Sequence, residues 1–564
     1  MKDRLDPCRA WMQALGYDAL IVPTNDPHFS EYVADHWGCR QWLSGFSGSA
    51  GTAVVTADKA IVSVDSRYFL QAEEQLADGF EILKQQKAHA AEHLDWLGEQ
   101  LEPGAVVVLD GRLCSVEGFE KISDTLAAFG LDFQACEDPF AQLWAQRPSL
   151  PGSQVFELDI TYSGRSRADK LTALRDELEG GRFLVAALDE ISWLLNLRGA
   201  DVQYNPVVYA WLLVGPDSAV LCCDNPMPQE VRQGLAADGV EMRPYDAVSA
   251  LVAEQDGPLQ ADLGQLPVPL GEAGDFAHSV SPLALHKAIK NDTEIANLRR
   301  AMVKDAVALA QFYRWLDAES GQRPVSEWEC ARYIDECRGL QAHCLGPSFG
   351  TIVAHRGNAA GAHYEPQADE PVILEEGILL IDSGGQYLEG TTDITRTIYL
   401  GEPGPEHVLH YTLILQGLIA LSQVEFPVGT TGGQLDVLAR LPLWQEGLNY
   451  GHGTGHGVGY LLNVHEGPQG FGSGATAKNA ALQPGMLITI EPGYYLPGSH
   501  GIRTENMVVV APAEREGFLK FDTLTVYPID TQMVDYQRLT EAERDWLEAF
   551  NADCRKIIAT AAEE

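Results

Sequence analysis

Residues 377–400 read GILLIDSGGQYLEGTTDITRTIYL. Two β-rich runs flank the turn-forming GGQYLEG, which predicts a hairpin. Asp382 closes the aliphatic run ILLI, and Asp393 lies in the returning strand. A carboxylate directly behind four aliphatic residues is poorly solvated unless a cation meets it, and two on facing strands repel each other. Taken alone, the pair reads as a turn aspartate and a surface aspartate. The pattern recurs, however. MLITIEPGYY carries a buried strand to Glu491, and GIRTENMVVV sets Glu505 just ahead of the apolar run Met507–Val510. Arg503 and Glu505, two apart, are expected to share one face of a strand.

Between the two acidic pairs stands YGHGTGHGVGYLLNVHEG, residues 450–467, with His452, His456 and His465 threaded among glycines. Four carboxylates balance two divalent cations, whereas one cation would leave a closed cleft negative. Oxygen donors with one imidazole suit manganese or magnesium, with cobalt or zinc favoured by raw affinity. Two metals about 3.5–4 Å apart hold a water and lower its pKa toward neutrality. The remaining histidines are candidates for binding substrate and moving protons. Glycines beside His456 let the backbone pass close to such a cluster.

The rest of the chain sets bounds. Its 564 residues predict two or three domains. A hydrophobic share of 45% and a charged share of 21% describe an ordinary globular protein. The formal charge of −41 argues against nucleic acid or an anionic membrane as partner. The start lacks the apolar core of a signal peptide, and the tail ATAAEE lacks a lipid-attachment signal. The longest apolar run, VVYAWLLV at Val207–Val214, is far shorter than the roughly 20 residues that span a bilayer. Ten cysteines without a CxxC fit reduced thiols, so a cytoplasmic location is expected.

Two segments of the first half look like distant copies: Asp18–Val64 and Arg182–Cys223. Each reads as a buried strand, a short helix, a glycine loop and a strand hairpin, which predicts two related α/β domains. QRPSLPGSQ, residues 146–154, is the first linker candidate. Ser166 with Asp169 predicts a capped helix ending at Gly180 and Gly181. Asn291 with Glu294 caps a long helix whose apolar stripe is Ile295, Leu298, Met302, Ala306, Leu309 and Leu316. A last helix starts at Thr540, with Glu543 as its box partner.

With these residues in view, the chain resembles a known family. Asp382, Asp393, His456, Glu491 and Glu505 resemble the five ligands of the pita-bread metallopeptidases, including the Asp-to-Asp interval of 393 − 382 = 11. HGTGHGVG, NVHEGP, IEPGYY and GIRTEN look like the X-prolyl aminopeptidases, the aminopeptidase P branch. WLSGFSGSAGTAVV, DSRYFLQA, ALDEISWLLNLRGADVQYNPV and WLEAFNADCRKII extend the likeness over essentially the whole chain.

The resemblance implies an α/β (α+β) chain: a creatinase-like N-terminal domain at 1–157, a second at 158–290, and a pita-bread catalytic domain with a helical extension at 291–564. It implies an aminopeptidase that removes an N-terminal residue followed by proline, through attack of a metal-bridging hydroxide on the Xaa-Pro carbonyl. Two manganese ions, with cobalt or zinc as alternatives, would be held by Asp382, Asp393, His456, Glu491 and Glu505. Glu491 would also take a proton. His363 and His465 would contact substrate and His452 would lie near its pocket. Arg67 would help bind peptide, either within its own subunit or across the boundary of a homodimer. Two alternatives stay open at this point: a prolidase limited to Xaa-Pro dipeptides, and a non-catalytic pita-bread binding module.

Overall fold

The computed structural model describes residues 4–561 apart from 66, 87–89 and 473–478. The chain divides into two compact units, Met1–Leu158 with Arg165–Leu283, and Asp159–Gly164 with Ala284–Glu564.

The first unit contains two six-stranded sheets. β1 (Ala19–Pro23), β2 (Thr52–Thr56), β3 (Ala60–Val64), β4 (Glu81–Lys84), β5 (Val106–Asp110) and β6 (Asp132–Cys136) build one, in the order β4-β3-β2-β1-β5-β6. After β7 (Phe156–Glu157) come β8 (Phe183–Val185), β9 (Leu197–Arg198), β10 (Trp211–Val214), β11 (Ala219–Cys222), β12 (Val240–Arg243), β13 (Leu259–Ala261) and β14 (Phe276–His278). β7 and β9 form a small ribbon, and the others order as β12-β11-β10-β8-β13-β14. The two orders are the same, strand for strand. The directions agree as well: β1 is antiparallel to β2 and parallel to β5, while β8 is antiparallel to β10 and parallel to β13. The central strands are apolar along their whole length because both sheet faces are covered. The expected duplication is therefore present in topology.

Helix boundaries follow the expected caps. Ser166 Oγ accepts the Asp169 N–H at 3.1 Å and opens the helix Arg167–Glu177. Asn291 and Glu294 close a reciprocal capping box on the helix Asp292–Ser320. Leu298, Met302, Ala306, Leu309 and Leu316 of its stripe are buried, and Ile295 is half-buried. Thr540 and Glu543 cap the final helix Glu541–Ala561.

The second unit holds β15 (Cys344–Pro347), β16 (Ile352–His355), β17 (Gly377–Ser383), β18 (Gly385–Tyr387), β19 (Gly390–Thr391) and β20 (Ile394–Leu400). They are followed by β21 (Phe426–Pro427), β22 (Gly455–Gly457), β23 (Glu466–Phe471), β24 (Leu487–Ile490), β25 (Gly493–Leu496), β26 (His500–Arg503), β27 (Asn506–Pro512) and β28 (Phe518–Thr523). β16, β17 and β20 make one sheet, β15, β18 and β19 another, and β25 with β26 a third. The largest sheet has the order β21-β28-β27-β24-β22-β23. The helix Pro405–Gln423 supplies Leu415, Leu418 and Ile419 to the core under it, and each such side chain contributes about 1.5–3 kcal/mol by burial.

Two expectations need correction. β17 and β20 pair antiparallel as predicted, but GGQYLEG is more than a turn: it contains the inner hairpin β18–β19, which joins β15 in a separate sheet. Tyr387 is the reason, since its ring is fully buried and its hydroxyl bonds Asp305 at 3.1 Å. Arg503 and Glu505 also do not share a strand. Arg503 ends β26 opposite Gly493, whereas Glu505 precedes β27, whose Asn506 pairs with Ile490. The chain changes sheets at the buried Thr504.

Candidate metal centre

Strand ends from separate sheets converge here. Asp382 lies near the end of β17, and Asp393 stands one residue ahead of β20. Glu491 follows β24, Glu505 precedes β27, and the Ile490–Asn506 pairing brings those two ends together. His456 sits in β22 between Gly455 and Gly457. The glycines are needed for close approach: a Cβ at 455 would stand 1.9 Å from the Thr489 carbonyl oxygen, and one at 457 would stand 2.3 Å from that of Glu466.

Donor atoms of Asp393, His456 and Glu505 all lie within 4.8 Å of one another. His456 Nε2 is 3.5 Å from Asp393 Oδ2 and 3.5 Å from Glu491 Oε1. Both distances exceed an ordinary charge-assisted hydrogen bond. The ring's Nδ1 meets the Gly457 carbonyl at 2.9 Å, which places its proton there and leaves the Nε2 lone pair facing the carboxylates. Thr395 Oγ1 donates to Glu505 Oε2 at 2.9 Å, and the Glu491 N–H donates to the Thr454 carbonyl at 2.7 Å.

Charge is the outstanding property. One guanidinium serves the group: Arg503 Nη2 donates to Asp382 Oδ2 at 2.5 Å, and its Nε lies 4.0 Å from Glu491 Oε2. Asp382 Oδ1 and Glu505 Oε1 are buried without a hydrogen-bond partner among the described residues. Burial, then the neighbouring Asp382 and Glu491 charges, holds the Asp393 carboxyl well above its usual range. Burial and the other three carboxylates do the same to Glu505. Burial pushes Glu491 up to about 7 against the pull of Arg503. Orphaned buried oxygens, an imidazole lone pair aimed at them and acids that resist ionising fit a site completed by cations.

The other expected residues fall as follows. The His465 ring lies 4.3 Å from that of His456 and perpendicular to it. His363 follows Ala362, whose carbonyl accepts from Arg503 Nη2 at 3.5 Å, and precedes Tyr364, whose hydroxyl donates to the buried Glu327 at 2.7 Å. His452 reaches the centre through two intermediaries. Its Nε2 accepts from the Tyr495 hydroxyl at 2.9 Å, that oxygen receives Arg503 Nη1 at 2.6 Å, and Arg503 grips Asp382. Arg67 belongs to the first unit, where Asp65 engages it at both ends: Nε to Oδ1 at 2.9 Å and Nη2 to Oδ2 at 2.7 Å.

Sequence reasoning missed Tyr495, Thr395 and a buried clamp on the histidine loop. In that clamp Arg440 pairs with Asp436 (2.6 Å) and donates to the Tyr450 and His452 carbonyls (2.8 and 2.7 Å). The i,i+4 spacing of Asp436 and Arg440 was the available signal, and it is shared with many surface pairs.

A largely buried group of four carboxylates and one imidazole, with further histidines and an arginine around it, is what a metallohydrolase-type centre requires. The comparisons agree. The model of metallopeptidase family M24 matches residues 296–512, and that of its C-terminal region matches 517–564. Models of the creatinase/prolidase N-terminal domain match residues 4–143 and 146–294. The probable Xaa-Pro aminopeptidase P of Sordaria macrospora is 38% identical over 588 residues, covering 99% of this chain and 96% of that one. That of Neurospora crassa is also 38% identical, covering 99% and 86%. The crystal structure of X-prolyl aminopeptidase from Caenorhabditis elegans, described as a cytosolic enzyme with a di-nuclear active site, matches with TM-score 0.94 and 33% identity over 100% of this chain and 96% of that one. The chain belongs to metallopeptidase family M24.

Proposed function

We propose that the chain releases the N-terminal residue from peptides whose second residue is proline. Two divalent cations, manganese first, would be held by Asp382, Asp393, His456, Glu491 and Glu505. The observation that carries this is the carboxylate group whose Asp382 Oδ1 and Glu505 Oε1 are buried without a hydrogen-bond partner among the described residues. The activity itself is the one named for relatives that match nearly the full length.

When bound, the cations would polarise the scissile carbonyl and activate water. The chain's residues do the rest. An Xaa-Pro bond is a tertiary amide without an N–H, so recognition must use the carbonyl and the pyrrolidine ring. Glu491 takes the proton of the attacking water, and His465 returns one to the departing proline nitrogen. His363 contacts the substrate from the loop beside Arg503. His452 holds Tyr495, and Tyr495 holds Arg503 against Asp382, which orients the carboxylate. Arg67 binds the peptide chain.

The domain division 1–157, 158–290 and 291–564 belongs to this proposal. So does a homodimer, in which the exposed apolar stripe of Val437, Leu441 and Trp444 on the helix Gly432–Gln445 is a face that a second copy would cover. A cytoplasmic setting accords with cysteines that are all unpaired and mostly buried. No helix among the described residues is long and apolar enough to cross a membrane, and the charge of −41 disfavours nucleic acid.

The test is cleavage of Arg-Pro-Pro and Arg-Ala-Ala by chelator-stripped enzyme with manganese, cobalt or zinc restored. Release of arginine from the proline peptide alone, strongest with manganese, is expected. Activity confined to Xaa-Pro dipeptides would favour a prolidase, and a chain that takes up no metal would favour a binding module.

A further inference from the structure

Glu466 directly follows His465 and opens β23, the strand paired with the His456 strand through Gly457. Its carboxylate is buried, and two lysines meet it. The Lys290 ammonium, fully enclosed, bonds Oε1 and also donates to the Lys287 carbonyl at 2.9 Å. The Lys287 ammonium lies 3.1 Å from Oε2, and its side chain is likewise buried. Both lysines come from the stretch that opens the catalytic unit, just before the Asn291 cap.

That stretch is pinned to the site from a second side. Ile289 bridges Met486, and the Lys290 N–H donates to the Gly485 carbonyl at 2.9 Å, immediately ahead of the strand that delivers Glu491. A Cβ at Gly485 would stand 2.7 Å from the Lys290 carbonyl oxygen, so the two backbones are in close contact.

Apolar side chains of similar volume would fill this space with a smaller desolvation penalty. What an ion cluster adds is direction: a carboxylate hydrogen-bonded at Oε1 and ion-paired at Oε2 is restrained from turning, and the peptide unit it shares with His465 is held with it. We propose that Lys290, supported by Lys287, is a positioning residue that fixes Glu466 and thereby holds the His465 ring in its perpendicular contact with His456. The proposal rests on the reading of His465 as a substrate-facing histidine.

A double-mutant cycle of Lys290→Met with His465→Ala tests it on an Xaa-Pro-Pro peptide, with kcat, KM and metal content measured for each form. Lys290→Met is expected to lower kcat about 10–100-fold, with KM within about threefold and metal retained. In the His465→Ala background the same change is expected to cost less than about threefold. Glu466→Gln, which keeps shape and removes charge, is expected to show the same non-additivity and serves if Lys290→Met does not fold. Effects that multiply, or metal lost from either variant, would overturn the proposal. A crystal structure of the variant gives a reading independent of turnover: His465 displaced from its contact 4.3 Å from His456 supports the role, and an unmoved ring overturns it. An inactive wild type would defeat the aminopeptidase reading, while the ring position would still decide this one.

Discussion

Asp305 and Asp436 are buried as deeply as Asp393, in the same unit, yet their surroundings are opposite in kind. Asp305 accepts from Arg338 at 2.7 and 3.1 Å, from Thr392 at 2.9 Å and from Tyr387 at 3.1 Å. Asp436 accepts from Arg440 at 2.6 Å and from Thr454 at 2.6 Å. Each has its own guanidinium and both oxygens engaged. Among the described residues, the four acids of the candidate centre share the Arg503 guanidinium and the imidazoles of His456 and His465, and Asp382 Oδ1 and Glu505 Oε1 have no hydrogen-bond partner. This chain buries carboxylates safely where it supplies the counter-charge itself. Where it does not, the proposed function has the counter-charge come from outside.

That contrast can be broken at either end. The largest effect is expected from Asp393→Asn, which should lower kcat/KM by more than about 1,000-fold and empty the site of metal. Its thermal midpoint in chelator should exceed that of chelated wild type, because one of the crowded charges is gone. With manganese present the order should reverse, since only wild type gains binding energy. Asp436→Asn should behave differently. Breaking a satisfied buried pair costs about 3–5 kcal/mol, so the midpoint should fall equally with and without metal. Next comes His465→Ala, with kcat down about 100-fold and metal content unchanged; loss of metal instead would make His465 a ligand. The smallest effect is expected from Arg67→Ala, with KM raised about fivefold and kcat within about twofold. Steady-state kinetics on one Xaa-Pro-Pro substrate separates the last two.

Part of the candidate centre was legible because Asp382 and Glu491 close aliphatic runs and Glu505 precedes one, where a carboxylate has no solvent reason to be. Asp393, ahead of the mixed strand ITRTIYL, carries no such mark of its own, while the glycines around His456 announce a close approach that the geometry bears out. The duplicated sheets were legible from repeated strand and hairpin runs. What escaped depends on pairings without periodicity. Lys290 and Glu466 are 176 positions apart, and nothing local marks either as buried. GGQYLEG has turn composition, and only the burial of Tyr387 makes the inner hairpin β18–β19 a strand pair. The spacing of Arg503 and Glu505 points to one strand, although the chain leaves one sheet for another between them.

The central claim is that dications, two per chain, hold these carboxylates together. Calorimetric titration of the chelator-stripped chain with manganese tests it directly, alongside Asp393→Asn. Two equivalents bound by wild type and none by the variant are predicted. One equivalent or none in wild type, or any bound by the variant, would contradict the account.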